Sequence, residues 1–175
     1  MSKIKVLISN DSHHLKPLPL NPEEKIRHHI DALFGTGIYN ILTIRHSTKD
    51  FSFEYSRRTG RIKNFSIKNQ LVATLRTDGG LALTIFGATE FLGNERFKEN
   101  CVIPTDDALP FVRQGRSLFC KHVEWCGSNV KVGSDVAIVY EWRVVAVGRA
   151  LIGCNHMKNY HKGIAVKVRE GIKSP

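Results

Sequence analysis

From residue 22 onward the apolar positions recur every three or four residues. Ile26, Ile30, Leu33 and Phe34 fall on one stripe, and the residues around them punctuate a helix. Asn21 offers a capping oxygen, Pro22 suits the first turn, Glu23 and Glu24 meet the positive end of the dipole, and Gly35 ends the run. Ahead of it, "KVLISN" alternates and predicts a strand, and "DSHHLKPLPLNP" carries three prolines that forbid regular structure. Between Tyr39 and Leu92 the period changes to two. "NILTIRH", "FSFEYS" and "IKNFSI" predict strands, with "RRTGR" as a turn, and Phe51, Phe53 and Tyr55 alternate with Phe65 as core residues do. "LVATLRT" and "LALTIFG" flank "DGG", a hairpin signal because the turn demands positive φ. Residues 1–94 thus predict an α/β domain, a small antiparallel sheet with the first helix on one face. Polar "GNERFKEN" marks the boundary.

Residues 99–173 predict a second domain of short strands. "CVIP" opens it, and Thr105 to Asp107 cap a short helix with Pro110 in its first turn and Gly115 beyond its end. "SLFCKHV", "VAIVY" and "VVAVGRALI" read as strands, "SNVKVGSD" as a loop that includes Asp135, and "NHMKNYH" as a turn of helix. Gly163 starts the last strand, in which Ile164, Val166 and Val168 face inward and Lys167 and Arg169 outward. Trp125 and Trp142, near strand ends, are expected to cap the barrel. Many short strands with one or two small helices suggest a compact β-barrel-like module and an α+β fold overall.

Charge changes the picture more than composition does. The 26 Lys and Arg against 16 Asp and Glu leave a formal +10, which favours a polyanionic partner. Nucleic acid is the first suspect. No run reaches the ~18 apolar residues of a membrane span, and the start does not read as a signal peptide, so a soluble cytoplasmic protein is expected. At 175 residues the chain is short of the ~250 of a (β/α)₈ barrel, so a barrel enzyme would need a separate chain. Cys101, Cys120, Cys126 and Cys154 form no close pair, and the irregular Cys and His spacing around Cys120-x-His122 and Cys154-x-His156 favours reduced structural thiols over zinc. His13-His14 and His28-His29 lack a helical ligand spacing. No nucleophile elbow, phosphate loop or metal triad is present, so no catalysis, cofactor or metal is expected.

"PFVRQGRSLFCKHV", "GSDVAIV", "VVAVGRALI" and "KGIAVKVREG" resemble, in that order, the PUA domain, an RNA-binding pseudo-barrel appended to RNA-modifying proteins. "HHIDALFG", "SRRTGRIKN" and "LVATLRTDGGLALTIFGA" resemble the small C2 domain that precedes PUA in the archaeosine tRNA-guanine transglycosylases. The resemblance covers most of residues 23 to 172. In that family the nucleophile and general-base aspartates and the zinc-binding cysteines lie on a barrel ahead of this tail, and nothing here matches it. The fold and RNA binding carry over, and the activity and zinc do not.

The resemblance implies RNA against the first helix of the second domain, the glycine turn after it, the next strand and the final strand, often with a tRNA acceptor stem or 3′ end in contact. Those positions are Arg113, Gly115, Arg116, Lys121, Lys162, Gly163, Lys167 and Arg169. The chemistry is coherent in itself, since Gly115 lets a sugar-phosphate chain approach its backbone and arginines fork onto phosphate oxygens. From the residues alone, a helix-ending glycine with solvated arginines remains the alternative. Arg57, Arg58 and Arg61, with Lys63, crowd a tight turn that is either solvated or a further RNA contact. The expected partner is structured RNA, tRNA foremost, held for a catalytic subunit on another chain. Neither membrane nor DNA is expected. An rRNA-binding factor of ribosome biogenesis or translation is the other reading, and an autonomous RNA-modifying enzyme the third.

Overall fold

The caps place the first helix where the sequence puts it. The structure is a computed structural model that describes residues 21–157 and 159–173. The strand expected over "KVLISN", the His13-His14 pair and most of the proline-rich loop lie outside these residues. In α1 (Pro22–Phe34), Asn21 Oδ1 accepts the Glu24 amide at 2.7 Å, and the Gly35 amide donates to the Asp31 carbonyl. Ile26, Ile30 and Phe34 are buried, whereas Leu33, on the same expected stripe, is 41% exposed.

"NILTIRH" corrects an expectation, because it is α2 (Asn40–Arg45) and not a strand. Its β-branched residues suggest extension, but it coils, which turns Leu42 into the core with Ile41 packed beside it and leaves Ile44 77% exposed. Asp31 Oδ1 accepts the Tyr39 amide and fixes the entry. Four strands follow as an antiparallel meander: β1 (Phe51–Tyr55), β2 (Ile62–Ile67), β3 (Gln70–Leu75) and β4 (Leu81–Leu83). Phe51 and Phe53 pack on Phe65, but Tyr55 leaves the core and stands 47% exposed.

The strand expected through "LALTIFG" stops at Leu83. Thr84 Oγ1 accepts the Gly87 amide at 3.0 Å and starts α3 (Ile85–Leu92), which the period-two pattern hid. Gly87 lets this helix lie flat on β3, since a Cβ there would stand 2.1 Å from the Val72 carbonyl oxygen. "GNERFKEN" forms a 3₁₀ turn, Glu95–Asn100, in which Phe97 is fully buried against Phe34 and Phe91 and Asn100 Nδ2 donates to the Phe34 carbonyl. The polar stretch is a packed joint rather than an open linker.

Beyond it come β5 (Cys101–Pro104), α4 (Leu109–Arg113), β6 (Leu118–Phe119), β7 (Val123–Cys126), β8 (Asp135–Tyr140), β9 (Arg143–Ala150), α5 (Cys154–Met157) and β10 (Ile164–Gly171). Sheet order is β6-β10-β9-β8-β5-β7, antiparallel except where β5 meets β8. "SLFCKHV" is therefore two strands, not one. A 3₁₀ turn at Cys120–His122 carries the chain from β10, which β6 pairs, to β5, which β7 pairs.

β8 and β9 are buried on both faces. Val136, Ile138, Val145 and Ala146 join the core inside the second sheet, while Ala137, Val139, Val144 and Val147 join the core of Phe91, Phe97 and the first sheet. One continuous apolar layer therefore spans both halves. Asp135, expected in a loop, opens β8 and is 6% exposed. Trp142, expected as a barrel cap, sits instead at the tip of the β8–β9 turn, 70% exposed, because Glu141 and Trp142 take the positive φ that so short a turn requires. Lys98 Nζ lies 4.1 Å from its ring centroid. Trp125 is half-buried against the first core.

Candidate nucleic-acid interface

The corner after α4 is built from backbone first. Leu109 and Val112, three apart, are buried, so Phe111 is turned outward and is 50% exposed. The Gly115 amide donates to the Val112 carbonyl at 2.9 Å and the Arg116 amide to the Phe111 carbonyl at 3.0 Å. Gly115 adopts φ +84°, a left-handed conformation that glycine reaches without a Cβ penalty. Gly171 at the end of β10 lies flush against this turn: a Cβ there would meet the Arg113 carbonyl oxygen at 2.4 Å and the Gly115 nitrogen at 2.7 Å. The Lys173 amide also donates to Arg113 O, at 2.8 Å. The helix end and the last strand are thus one rigid seat.

Arg116 projects from that seat, exposed, its guanidinium carbon 5.5 Å from the Phe111 ring centroid. A pocket of about 190 Å³ opens beside it, walled by Phe111, Arg116, Ser117, Phe119 and His122. Phe119, between buried Leu118 and Cys120, is 46% exposed. His122 Nδ1 lies 3.0 Å from Asp107 Oδ2, and Thr105 Oγ1 donates to the other carboxylate oxygen. The Thr105 hydroxyl, then the neighbouring His122, holds the Asp107 carboxyl below its ordinary range. Lys121 is exposed in the 3₁₀ turn, and Lys162 and Gly163 are exposed just before β10, with the Gly163 carbonyl accepting the Cys120 amide at 3.0 Å. The Gly163–Cys120 bond brings Lys162 and Gly163 alongside Lys121, and Arg116 stands beside two outward aromatic rings. A cation beside exposed aromatics can grip a phosphate and stack a base together.

The remaining expected residues go elsewhere. Arg113 is half-buried, 5.9 Å from the Tyr140 ring centroid, and its Nε is buried without a hydrogen-bond partner among the described residues. Lys167 is exposed and directly opposite Arg149 on β9, the residue that reaches Asp78 of the first domain at 3.3 Å. Arg169 is spoken for: Nη1 donates to Asp135 Oδ1 at 2.9 Å and Nη2 to the Leu83 carbonyl. Arg76 Nη1 donates to the other oxygen of Asp135. Burial pushes the Asp135 carboxyl above its ordinary range, opposed by Arg169 and Arg76. This two-arginine clamp on one buried carboxylate ties β3 and β4 to β8 and β10. Arg57, Arg58 and Arg61 are exposed on the β1–β2 turn, which closes through a Ser56 amide to Arg61 carbonyl bond of 2.8 Å.

Phe111, Phe119 and the Asp107–His122 pair were missed in the sequence, although Leu109/Val112 spacing already leaves Phe111 outside and strand alternation leaves Phe119 outside. Burial pushes the Cys101 thiol up to about 12 and raises that of Cys120, so neither is poised as a thiolate. Among the described residues, no three His, Cys, Asp or Glu gather as a metal site, and no helix is long and apolar enough to cross a membrane.

Comparison with known proteins agrees with the fold. Residues 101–172 match the PUA domain, and residues 24–93 match the patch-forming domain C2 of tRNA-guanine transglycosylase. The tRNA-guanine(15) transglycosylase of Methanothermobacter thermautotrophicus is 31% identical over 150 residues, 85% of this chain and 22% of that protein. The enzyme of the same name from Thermococcus onnurineus is 32% identical over 157 residues, 86% of this chain and 26% of its own length. The chain thus spans about a quarter or less of these relatives. In fold it is similar to a hypothetical protein from Pyrococcus horikoshii, with TM-score 0.66, 17% identity and coverage of 87% of this chain and 90% of that one. A conserved PUA domain protein from Thermoplasma acidophilum gives TM-score 0.59 at 14% identity, covering 86% and 89%. The α+β reading, a small antiparallel sheet with packed helix followed by a nearly closed PUA sheet, therefore stands.

Proposed function

This chain is a PUA-domain protein whose C2 and PUA pair resembles the tail of the tRNA-guanine(15) transglycosylases, and on that premise we propose that it binds structured RNA, tRNA foremost, without catalysing a reaction itself. It serves as an accessory tail in archaeosine-type tRNA modification, the chemistry being supplied by a catalytic subunit on a partner chain. The observation that carries this reading is the seat formed by Gly115, Gly171 and α4, from which Arg116 projects beside Phe111 and Phe119. A tRNA acceptor stem lays its phosphates along Arg116, Lys121 and Lys162, and an unpaired base at its 3′ end enters the pocket between the rings. The net charge of +10 supports the same reading through counterion release, a term that weakens binding as salt rises. The two domains matched, PUA and the patch-forming C2, support a binding role for these residues.

The test is filter binding of the purified chain to tRNA with and without its 3′-terminal CCA, across a salt series. Tighter binding to the intact end, lost at high salt, is the expected result. Indifference to that end, together with preferential recovery of rRNA precursors from extracts, would replace tRNA by an rRNA of ribosome biogenesis. Guanine exchange into tRNA by the chain alone would overturn the non-catalytic reading.

A further inference from the structure

We infer that a groove on the first domain receives one or two unpaired nucleotides of the RNA, apart from the stem held at the PUA corner. The inference rests on the RNA-binding reading above and adds to it a second site. The groove has a volume of about 1060 Å³ and runs between α1, the β1–β2 turn and the β3–β4 turn. His29 Nε2 donates to the Gly79 carbonyl at 2.7 Å and so pins the helix to the second of these turns.

Floor and rim differ in kind. Ala32, Ile62 and Leu75 supply apolar surface, and Tyr55, the one β1 aromatic that turns away from the core, stands beside them 47% exposed. Around them Lys25, Arg58 and Arg61 are exposed and make no ion pair among the described residues. The acid on this rim, Asp78, is already neutralised, with Arg76 Nε at 2.9 Å and Arg149 at 3.3 Å. Hydrogen bonds from Arg76 and from the Gly80 amide hold its carboxyl below the ordinary range, so it stays a paired anion.

An apolar floor with an aromatic edge and a cationic rim is what a nucleotide needs, a face for the base and charge for its phosphates. A duplex keeps its bases stacked inside and presents nothing to such a floor. An acidic peptide would use the cations as well, and the competition with a glutamate-rich peptide below separates it from a nucleotide. The volume slightly exceeds the roughly 300–1,000 Å³ of pockets for single drug-sized ligands, hence one or two nucleotides and no more.

The experiment is fluorescence anisotropy with two probes, a short oligouridylate and a blunt RNA duplex, on the wild-type chain and on Tyr55→Ala, Tyr55→Phe, Arg58→Ala with Arg61→Ala, and Arg116→Ala. Oligouridylate affinity is expected to fall about tenfold in Tyr55→Ala and to be restored in Tyr55→Phe, which keeps the ring. It should fall at least as far in the double arginine variant. Duplex binding should ignore Tyr55→Ala and fall in Arg116→Ala. Oligouridylate binding that is absent, or unmoved by Tyr55→Ala, while the duplex still binds through Arg116 would overturn this inference and leave the RNA-binding reading intact. Loss of both probes in the wild-type chain would overturn that reading itself. Displacement of the oligouridylate by an equimolar glutamate-rich peptide would make the groove a protein site and overturn the inference as well. Crosslinking of a 4-thiouridine probe to Tyr55 would support it without reference to any variant.

Discussion

Arg169 and Arg116 are candidates for the same task, and the fold gives them different surroundings. Arg169 holds a buried carboxylate and a backbone carbonyl, whereas Arg116 lies over the face of Phe111 and has no ion pair among the described residues. The difference is made by the partner rather than by the arginine. Asp135 lies where two domains close over it, so its charge is stable there only with guanidiniums on both oxygens. Among the described residues no acid pairs with Arg116, so its charge remains available to an outside anion. A count of surface cations therefore overstates those open to an outside anion, and the ion pairs separate the fixed from the free.

The contrast can be broken most forcefully at the clamp. Asp135→Ala leaves two partly buried guanidiniums without their acceptor and should lower unfolding free energy by about 3 kcal/mol, read by urea denaturation, while the folded fraction still binds tRNA. Next in size, Arg116→Ala with Lys121→Ala should weaken tRNA binding by about 1.5–2 kcal/mol. It should flatten the slope of log affinity against log salt by about 1.8, since each lost phosphate contact removes about 0.9. Its stability should stay within about 0.5 kcal/mol of wild type, as expected of exposed positions. Unchanged binding would return Arg116 to ordinary solvated charge. Arg169→Lys keeps the charge but not the planar fork, and should cost about 1 kcal/mol of stability with tRNA affinity unmoved.

The smallest effect concerns pH. The folded-state pKa of Asp135 is raised, so the folded chain binds that proton more tightly than the unfolded one. Stability from this group is full below the unfolded carboxylate value, near 3.9, and is lost as pH rises through the raised value. Asp135→Asn mimics the protonated form, so the advantage of wild type over this variant should be greatest in acid and shrink towards neutrality. A gap that widens with pH would mean that the arginines outweigh burial.

Where structure follows from neighbours in the chain, the sequence was a good guide. The Asn21 cap, the "DGG" turn and the glycine after α4 each declare themselves within a few residues, and each is found in place. "VAIVY" is a continuous apolar run because β8 is covered on both faces. The clamp was not legible, since its members lie 59 and 34 residues apart and no local period links them. α2 was misread for a related reason. In six residues, Ile41, Leu42, Thr43 and Ile44 satisfy either period, and no local signal decides between them. The pocket rings Phe111 and Phe119 were legible from burial alternation, but they were passed over in favour of charge.

The apolar layer shared by Phe91, Phe97, Val139 and Val147 has a consequence for avidity. Two RNA-gripping surfaces joined by a floppy tether search for their second contact at an effective concentration set by tether length. Here the joint is itself part of the core, so the span between the groove and the corner is preset, and the second contact costs no linker entropy. If both proposed sites hold RNA, such a pair acts as a caliper, rewarding an RNA whose unpaired segment and stem end are separated by one particular distance and gaining little from a longer or shorter one.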